Sequence, residues 1–111
     1  MDDIEAIVDE LRQQLIVYSD VDAATNSCEV ASADAQEAIG GSILRLTGML
    51  SQPVRNPNSE KLEDIEHYVV LKDDYVYDFT ARQFYPSSEF PIIMLAEEYL
   101  SDWASVDYID G

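Results

Sequence analysis

Two short arms rich in β-branched and aromatic residues flank an acidic pair in His67-Tyr68-Val69-Val70-Leu71-Lys72-Asp73-Asp74-Tyr75-Val76-Tyr77-Asp78-Phe79-Thr80. Such arms favour strands, and the acids between them mark a tight turn. A hairpin turning at Asp73-Asp74 sets Lys72 opposite Tyr75 and Val69 opposite Asp78. Side chains alternate along a strand, so His67, Val69, Leu71, Val76, Asp78 and Thr80 then share one face. A slip of one residue would part them. In this register the only histidine of the chain lies diagonal to an aspartate, within reach of an imidazole–carboxylate hydrogen bond.

The rest of the chain supplies helices to cover such a hairpin. Residues 2–18 carry Ile4, Ile7, Val8, Leu11, Leu15 and Tyr18 at helical spacing with acids opposite, which predicts an amphipathic helix. A second helix is expected from about Ser27 to Ala38; its small residues Ala31, Ala33, Ala35 and Ala38 permit close approach to a sheet, and Gly40-Gly41 ends it. Residues 42–49 read as a strand, and Pro53, Asn56, Pro57, Asn58 and Ser59 as a loop. Pro91 suits the first turn of a final helix through about Trp103, with Ile92, Leu95, Ala96, Tyr99 and Trp103 as its apolar stripe. The expected class is α+β: N-terminal helices packed on a small antiparallel sheet, with a C-terminal helix, in one domain over residues 1–111.

Composition narrows the function classes. At 47% hydrophobic and 10% aromatic residues, the chain has enough apolar material to fold around a core. No apolar run approaches the roughly 18 residues that span a bilayer, and no basic-then-apolar leader opens the sequence. The single cysteine has no internal partner for a disulfide, which favours a reducing, cytoplasmic location. Twenty-three acids against six basic residues give a net charge of −17, so direct binding to nucleic-acid phosphates is not expected. The acids are dispersed from Asp2 to Asp110 rather than gathered in a tail. Three readings of that surface stay open: adaptation to high salt, imitation of nucleic-acid charge toward a basic protein partner, and an ordinary acidic solvated surface.

Cys28 sits in Thr25-Asn26-Ser27-Cys28-Glu29-Val30, where the second helix should begin. Free N–H groups and the dipole at a helix start favour an anion and can stabilise a developing oxyanion. Alone, Cys28 reads equally as a small buried residue, His67 as a satisfied histidine and Asp78 as a strand-end carboxylate. Together they have the order of a thiol nucleophile, a base and the carboxylate that orients it.

The residues Cys28, His67-Tyr68-Val69-Val70 and Tyr77-Asp78-Phe79-Thr80-Ala81-Arg82-Gln83-Phe84 resemble the papain-like and transglutaminase-like cysteine enzymes, above all the small members among bacterial toxin domains and phage-type proteins. The resemblance covers about residues 26–86, and residues 77–84 are its most specific part. It implies a papain-like core with Cys28 as nucleophile, His67 as base and Asp78 as orienting residue, acting by hydrolysis or acyl transfer on a protein or peptide substrate. The pattern departs in two places. Gln13 and Gln14 lie too far upstream to serve as the oxyanion-donating glutamine, leaving Asn26 as its substitute, and Glu29 replaces the aromatic residue that often follows the cysteine.

Other chemistry lacks its residues. One histidine and one cysteine do not make an ordinary zinc site, Asp20, Asp22, Asp73 and Asp74 lack the rest of a calcium loop, and Gly40-Gly41 follows a helix rather than preceding one. No cofactor or metal is expected. The rival to an enzyme is a non-enzymatic acidic inhibitor that blocks a basic partner, including one built on a papain-like fold that has lost activity. Ionic strength separates the readings of the charge. A salt-adapted surface raises the melting temperature continuously toward molar salt, as self-repulsion is screened. A nucleic-acid mimic instead captures a basic protein at low salt and releases it as salt rises. Thermal melts and pull-downs across one salt series read both, and a flat melting curve with no salt-sensitive partner would leave the ordinary surface.

Overall fold

The computed structural model describes residues 3–110. Helix α1 (Asp3–Gln14) buries Val8 and Leu11, with Leu15 following at the same spacing. The expected start at residue 2 lies outside the described residues. Beyond Gln14 the chain tightens into a 3₁₀ turn, Ile16–Ser19, so the predicted helix through Tyr18 is two pieces. Asp20 caps the short helix α2 (Val21–Ala24) by accepting from the Ala23 N–H at 3.0 Å. Asn26, with φ of 63°, turns the chain into α3 (Cys28–Ile39), because asparagine tolerates the left-handed conformation.

Five antiparallel strands follow: β1 (Ser42–Met49), β2 (Glu66–Lys72), β3 (Tyr75–Asp78), β4 (Ile92–Leu95) and β5 (Trp103–Asp110), in the spatial order β4-β3-β2-β1-β5. The hairpin has the register expected of it, with Lys72 opposite Tyr75, Leu71 opposite Val76 and Val70 opposite Tyr77. Asp73 and Asp74 both take left-handed φ values, 51° and 71°, as a two-residue hairpin turn requires.

The sheet separates two apolar clusters. Val70 and Tyr77 pack with Val8, Leu11 and Leu15 and with Ala31, Ala35 and Ile39 of α3. Leu44, Leu46, Val69 and Val76 pack with Met49, Ile65, Phe84 and Trp103. Alternation along β2 and β3 assigns His67 and Asp78 to the second set.

The α+β class with helices on an antiparallel sheet is as expected, and the C-terminal region does hold a helix, α4 (Ala96–Leu100). It is five residues long rather than running from Pro91 to Trp103. Ile92–Leu95 instead pairs with β3, and Trp103–Asp110 pairs with β1 along the other edge of the sheet. An unbroken apolar run such as Ile92-Ile93-Met94-Leu95 suits a strand as well as a helix. The hydrogen-bonding edge of β3 decides in favour of the strand.

Helix α3 closes against β2 through Gly40 and Gly41, both at positive φ. A Cβ on Gly41 would lie 2.3 Å from the Leu71 carbonyl oxygen, which is backbone and has no room to yield. Gly41→Ala is therefore expected to lose about 1–3 kcal/mol through strain at that φ, with further loss from the clash. Urea unfolding checks this; wild-type stability in the variant would mean that the α3–β1 junction moves freely.

Candidate active site

The site is assembled at one end of β2. His67 is fully buried and stacks on Trp103 with ring centroids 5.8 Å apart and planes at 16°. Phe84 meets it edge-on at 5.2 Å. Between these apolar walls an imidazole needs polar partners for its nitrogens. Nε2 meets Asp78 Oδ2 at 2.8 Å, the diagonal pair that the hairpin register predicts.

Asp78, itself buried, has further donors. The Tyr99 hydroxyl donates to Oδ2 at 2.5 Å, and the Thr80 backbone N–H donates to Oδ1 at 3.0 Å. Tyr99, expected as part of an apolar helix stripe, is thus a positioning residue brought in by α4. Burial and the neighbouring Asp78 carboxylate hold its phenol well above the ordinary tyrosine range, so it stays a donor.

Burial by itself would push the His67 pKa down. The Asp78 carboxylate, through charge and hydrogen bond, and then the Cys28 sulfur outweigh burial and raise it from 6.5 to about 10. Asp78 moves the opposite way: burial would raise its pKa, but the charge and hydrogen bond of His67, with the Tyr99 and Thr80 donors, lower it. The pair is an ion pair at neutral pH.

Cys28 is the first residue of α3 and is half-buried, not sealed in the core. Its sulfur contributes, after Asp78, to the raised pKa of His67. The Ser27 hydroxyl, at the capping position, donates instead to the Ala23 carbonyl at 2.8 Å. No side chain therefore caps α3, and its first N–H groups lack intrahelical acceptors. All three predicted site residues, Cys28, His67 and Asp78, are brought together.

Asn26, the amide donor that the sequence suggests, lines the cavity with Cys28, and its side-chain oxygen accepts from Asn58 Nδ2 at 2.9 Å. A second amide on the same lining is Gln83, from the 3₁₀ turn Ala81–Gln83 that follows β3. It is buried, its Oε1 accepts from the Asn26 N–H at 3.3 Å, and its Nε2 lies 3.5 Å from His67 Nδ1. Its position three residues beyond Thr80, in a tight turn at the end of the aspartate strand, was the available signal; looking only upstream of the cysteine missed it. Arg55 fixes this wall, donating to the Gln83 carbonyl at 3.3 Å and to the Thr25 hydroxyl at 3.0 Å.

A cavity of about 510 Å³ opens over the thiol, lined by Cys28, Gln83, Phe84 and Tyr68 and, at its mouth, by the Asn56–Glu60 loop. Among the described residues no cluster of histidine, cysteine and acidic side chains could hold a metal ion. No described helix is long and apolar enough to cross a membrane. No family model, curated protein or solved structure matches the chain significantly. The papain-like resemblance therefore rests on the residue pattern alone.

The ion pair has a pH signature. The folded-state pKa of His67 lies above its unfolded value, so its stabilisation is fully present below about pH 6.5 and is lost as pH rises through about 10. The Asp78 contribution is present above the ordinary carboxylate range and is lost as pH falls through its lowered folded value. The stability advantage of wild type over His67→Gln should therefore shrink as pH rises from about 7 to beyond about 10. Urea unfolding of both proteins across that range measures it. A constant difference, or nitrogen NMR shifts of a neutral ring at neutral pH, would show that the buried ring is uncharged.

Proposed function

We propose that the protein is a cysteine hydrolase or acyltransferase acting at an amide carbonyl: a peptide bond, an isopeptide bond or a glutamine side chain. The observation that carries this reading is a half-exposed thiol at an uncapped helix start, set against a buried imidazole that a carboxylate holds from behind. It is similar to the arrangement of papain-like and transglutaminase-like enzymes, and the reading includes the cytoplasmic location that suits a free thiol.

Each group has a task. Asp78 engages Nε2, leaving Nδ1 as the ring nitrogen that faces the thiol and Gln83. With the proton on the imidazolium, the Cys28 thiolate attacks the carbonyl carbon and the carbonyl π electrons move to oxygen. The resulting oxyanion is met by the Cys28 backbone N–H and by the Gln83 amide, whose orientation Asn26 sets. Collapse expels the amine or ammonia, which takes the proton from His67 and leaves a thioester on Cys28. The neutral imidazole then accepts a proton from water, giving a carboxylic acid product, or from an amine, giving a new amide, and the thiolate departs. Asp78 stays ionised throughout, and Tyr99 holds it in place.

A purely charge-based inhibitor needs none of this. An acidic surface can engage a basic partner without a buried imidazole–carboxylate pair behind a thiol. The test is thiol reactivity. Iodoacetamide should alkylate wild-type Cys28 at neutral pH at least about tenfold faster than His67→Gln, with Asp78→Asn slowed as well. Equal rates in wild type and His67→Gln would sink the enzyme reading and return the protein to the inhibitor class.

A further inference from the structure

The cavity over Cys28 has a one-sided electrostatic lining. Its ionisable residues besides Cys28 are Glu29, Glu60, Glu66 and Tyr68, and no lysine or arginine lines it. Of the basic groups nearby, Lys61 beside Glu60 is exposed and in no ion pair among the described residues, and the two arginines are committed elsewhere. Arg45 lies 3.4 Å from Asp107 and 3.9 Å from Glu66, so it partly offsets that one glutamate. Arg55 is held by Asp22, Thr25 and the Gln83 carbonyl. Among the described residues neither Glu29 nor Glu60 has a basic partner. Glu29 and Glu66 both bear on the Tyr68 hydroxyl, whose pKa is raised by burial first and then by these two charges.

The buried amide of Gln83 is a second, independent sign of a ligand. Only 4% of the residue is exposed, and it lines this cavity. Its oxygen is fixed by the Asn26 N–H, while its nitrogen has one polar contact among the described residues, His67 Nδ1 at 3.5 Å, which accepts no hydrogen bond while the ring is protonated. An amide nitrogen carries two hydrogens, so at least one N–H is left for an incoming acceptor, and a carbonyl oxygen meets that need. The cavity thus combines a donor for a carbonyl with a rim of carboxylates. The positive charge that the rim attracts has to come from the substrate.

We propose that the cavity takes a cationic peptide, presenting the attacked carbonyl to Cys28 and Gln83 and a flanking lysine or arginine side chain to Glu29, Glu60 and Glu66. This rests on the thiol-site reading above and adds the substrate class to it. Concave, low-dielectric walls of one sign concentrate oppositely charged ligands far more than an open surface does. The three glutamates are then specificity residues, distinct in effect from the acids spread over the rest of the molecule. Glu29, which follows the nucleophile and opposes a thiolate there, has its place explained by the substrate charge.

The test protects the thiol with peptides of either sign. Iodoacetamide alkylation of the full chain is followed at low salt with blocked tetra-arginine or blocked tetra-glutamate peptide present. The arginine peptide should slow alkylation several-fold at concentrations where the glutamate peptide has no effect. The triple variant Glu29→Gln, Glu60→Gln, Glu66→Gln should lose that protection. The triple Glu10→Gln, Glu37→Gln, Glu97→Gln, with equal loss of charge on exposed helix faces, should keep it. Small thiol reagents give a second readout: the rate ratio of a cationic to an anionic methanethiosulfonate should fall on the order of tenfold in the first triple only. Equal protection by both peptides, or the same loss in both triples, would overturn the proposal while leaving an activated thiol intact. Alkylation unchanged by His67→Gln would remove the thiol site, and this proposal with it.

Discussion

The buried contact between His67 and Asp78 holds the other parts of the site in relation to one another. Two opposite charges taken out of water between Trp103 and Phe84 are costly unless their remaining hydrogen-bonding capacity is met. It is met from three elements: the ring comes from β2, the carboxylate from β3, and the tyrosine hydroxyl from α4, with the Thr80 N–H closing the strand end. Replacing such a pair with apolar residues of similar volume is often neutral or stabilising in proteins. Core stability therefore gives no sufficient reason for this pair. The proposed role, holding a proton beside the only thiol, would supply one.

How much of this was legible in the sequence depends on whether local or distant contacts decided each element. The hairpin was readable because alternation and a two-residue acidic turn are local, and they place His67 diagonal to Asp78 with no reference to the rest of the fold. The start of α3 was readable because the polar run Thr25-Asn26-Ser27 precedes an alanine-rich stretch. The C-terminal third was not. Ile92, Leu95, Ala96, Tyr99 and Trp103 have helical spacing, yet Ile92–Leu95 pairs with β3 and Trp103 opens β5. In β5 alternation gives only a mixed pattern, as suits an edge strand whose outer residues, such as Tyr108 and Ile109, remain exposed. A partner strand some sixty residues earlier in the chain decides that segment, and no local signal carries it.

Gln83 and Tyr99 were missed for the same reason. Both residues act through the site's three-dimensional closure rather than through a spacing. Gln83 returns because a 3₁₀ turn follows β3, and Arg55 pins its carbonyl to the loop beyond β1. Tyr99 reaches Asp78 because α4 begins where β4 ends, alongside the aspartate strand. In the proposed mechanism an oxyanion donor placed after the aspartate, instead of before the cysteine, would serve the same chemistry. The requirement is a donor at the right point in space, and chain order is free to vary around it.

The high pKa of His67 also sets the division of labour. A ring that holds its proton up to about pH 10 is already protonated at pH 7, so in the proposed mechanism it starts as the acid and has no free site to take a proton from a neutral thiol. In the proposed mechanism the ion pair already holds the proton on the imidazolium, ready for the leaving amine. The acidic rim acts in the same direction, because negative charge around the mouth favours positive charge on the ring and on a bound substrate. It opposes negative charge on sulfur. Cys28 opens α3 and shares the cavity lining with Glu29, Glu60 and Glu66, so the positive end of the helix and the acidic rim both bear on it. Under the proposed enzyme reading, a cationic peptide would neutralise Glu29, Glu60 and Glu66 as it binds, at the moment its carbonyl reaches Cys28.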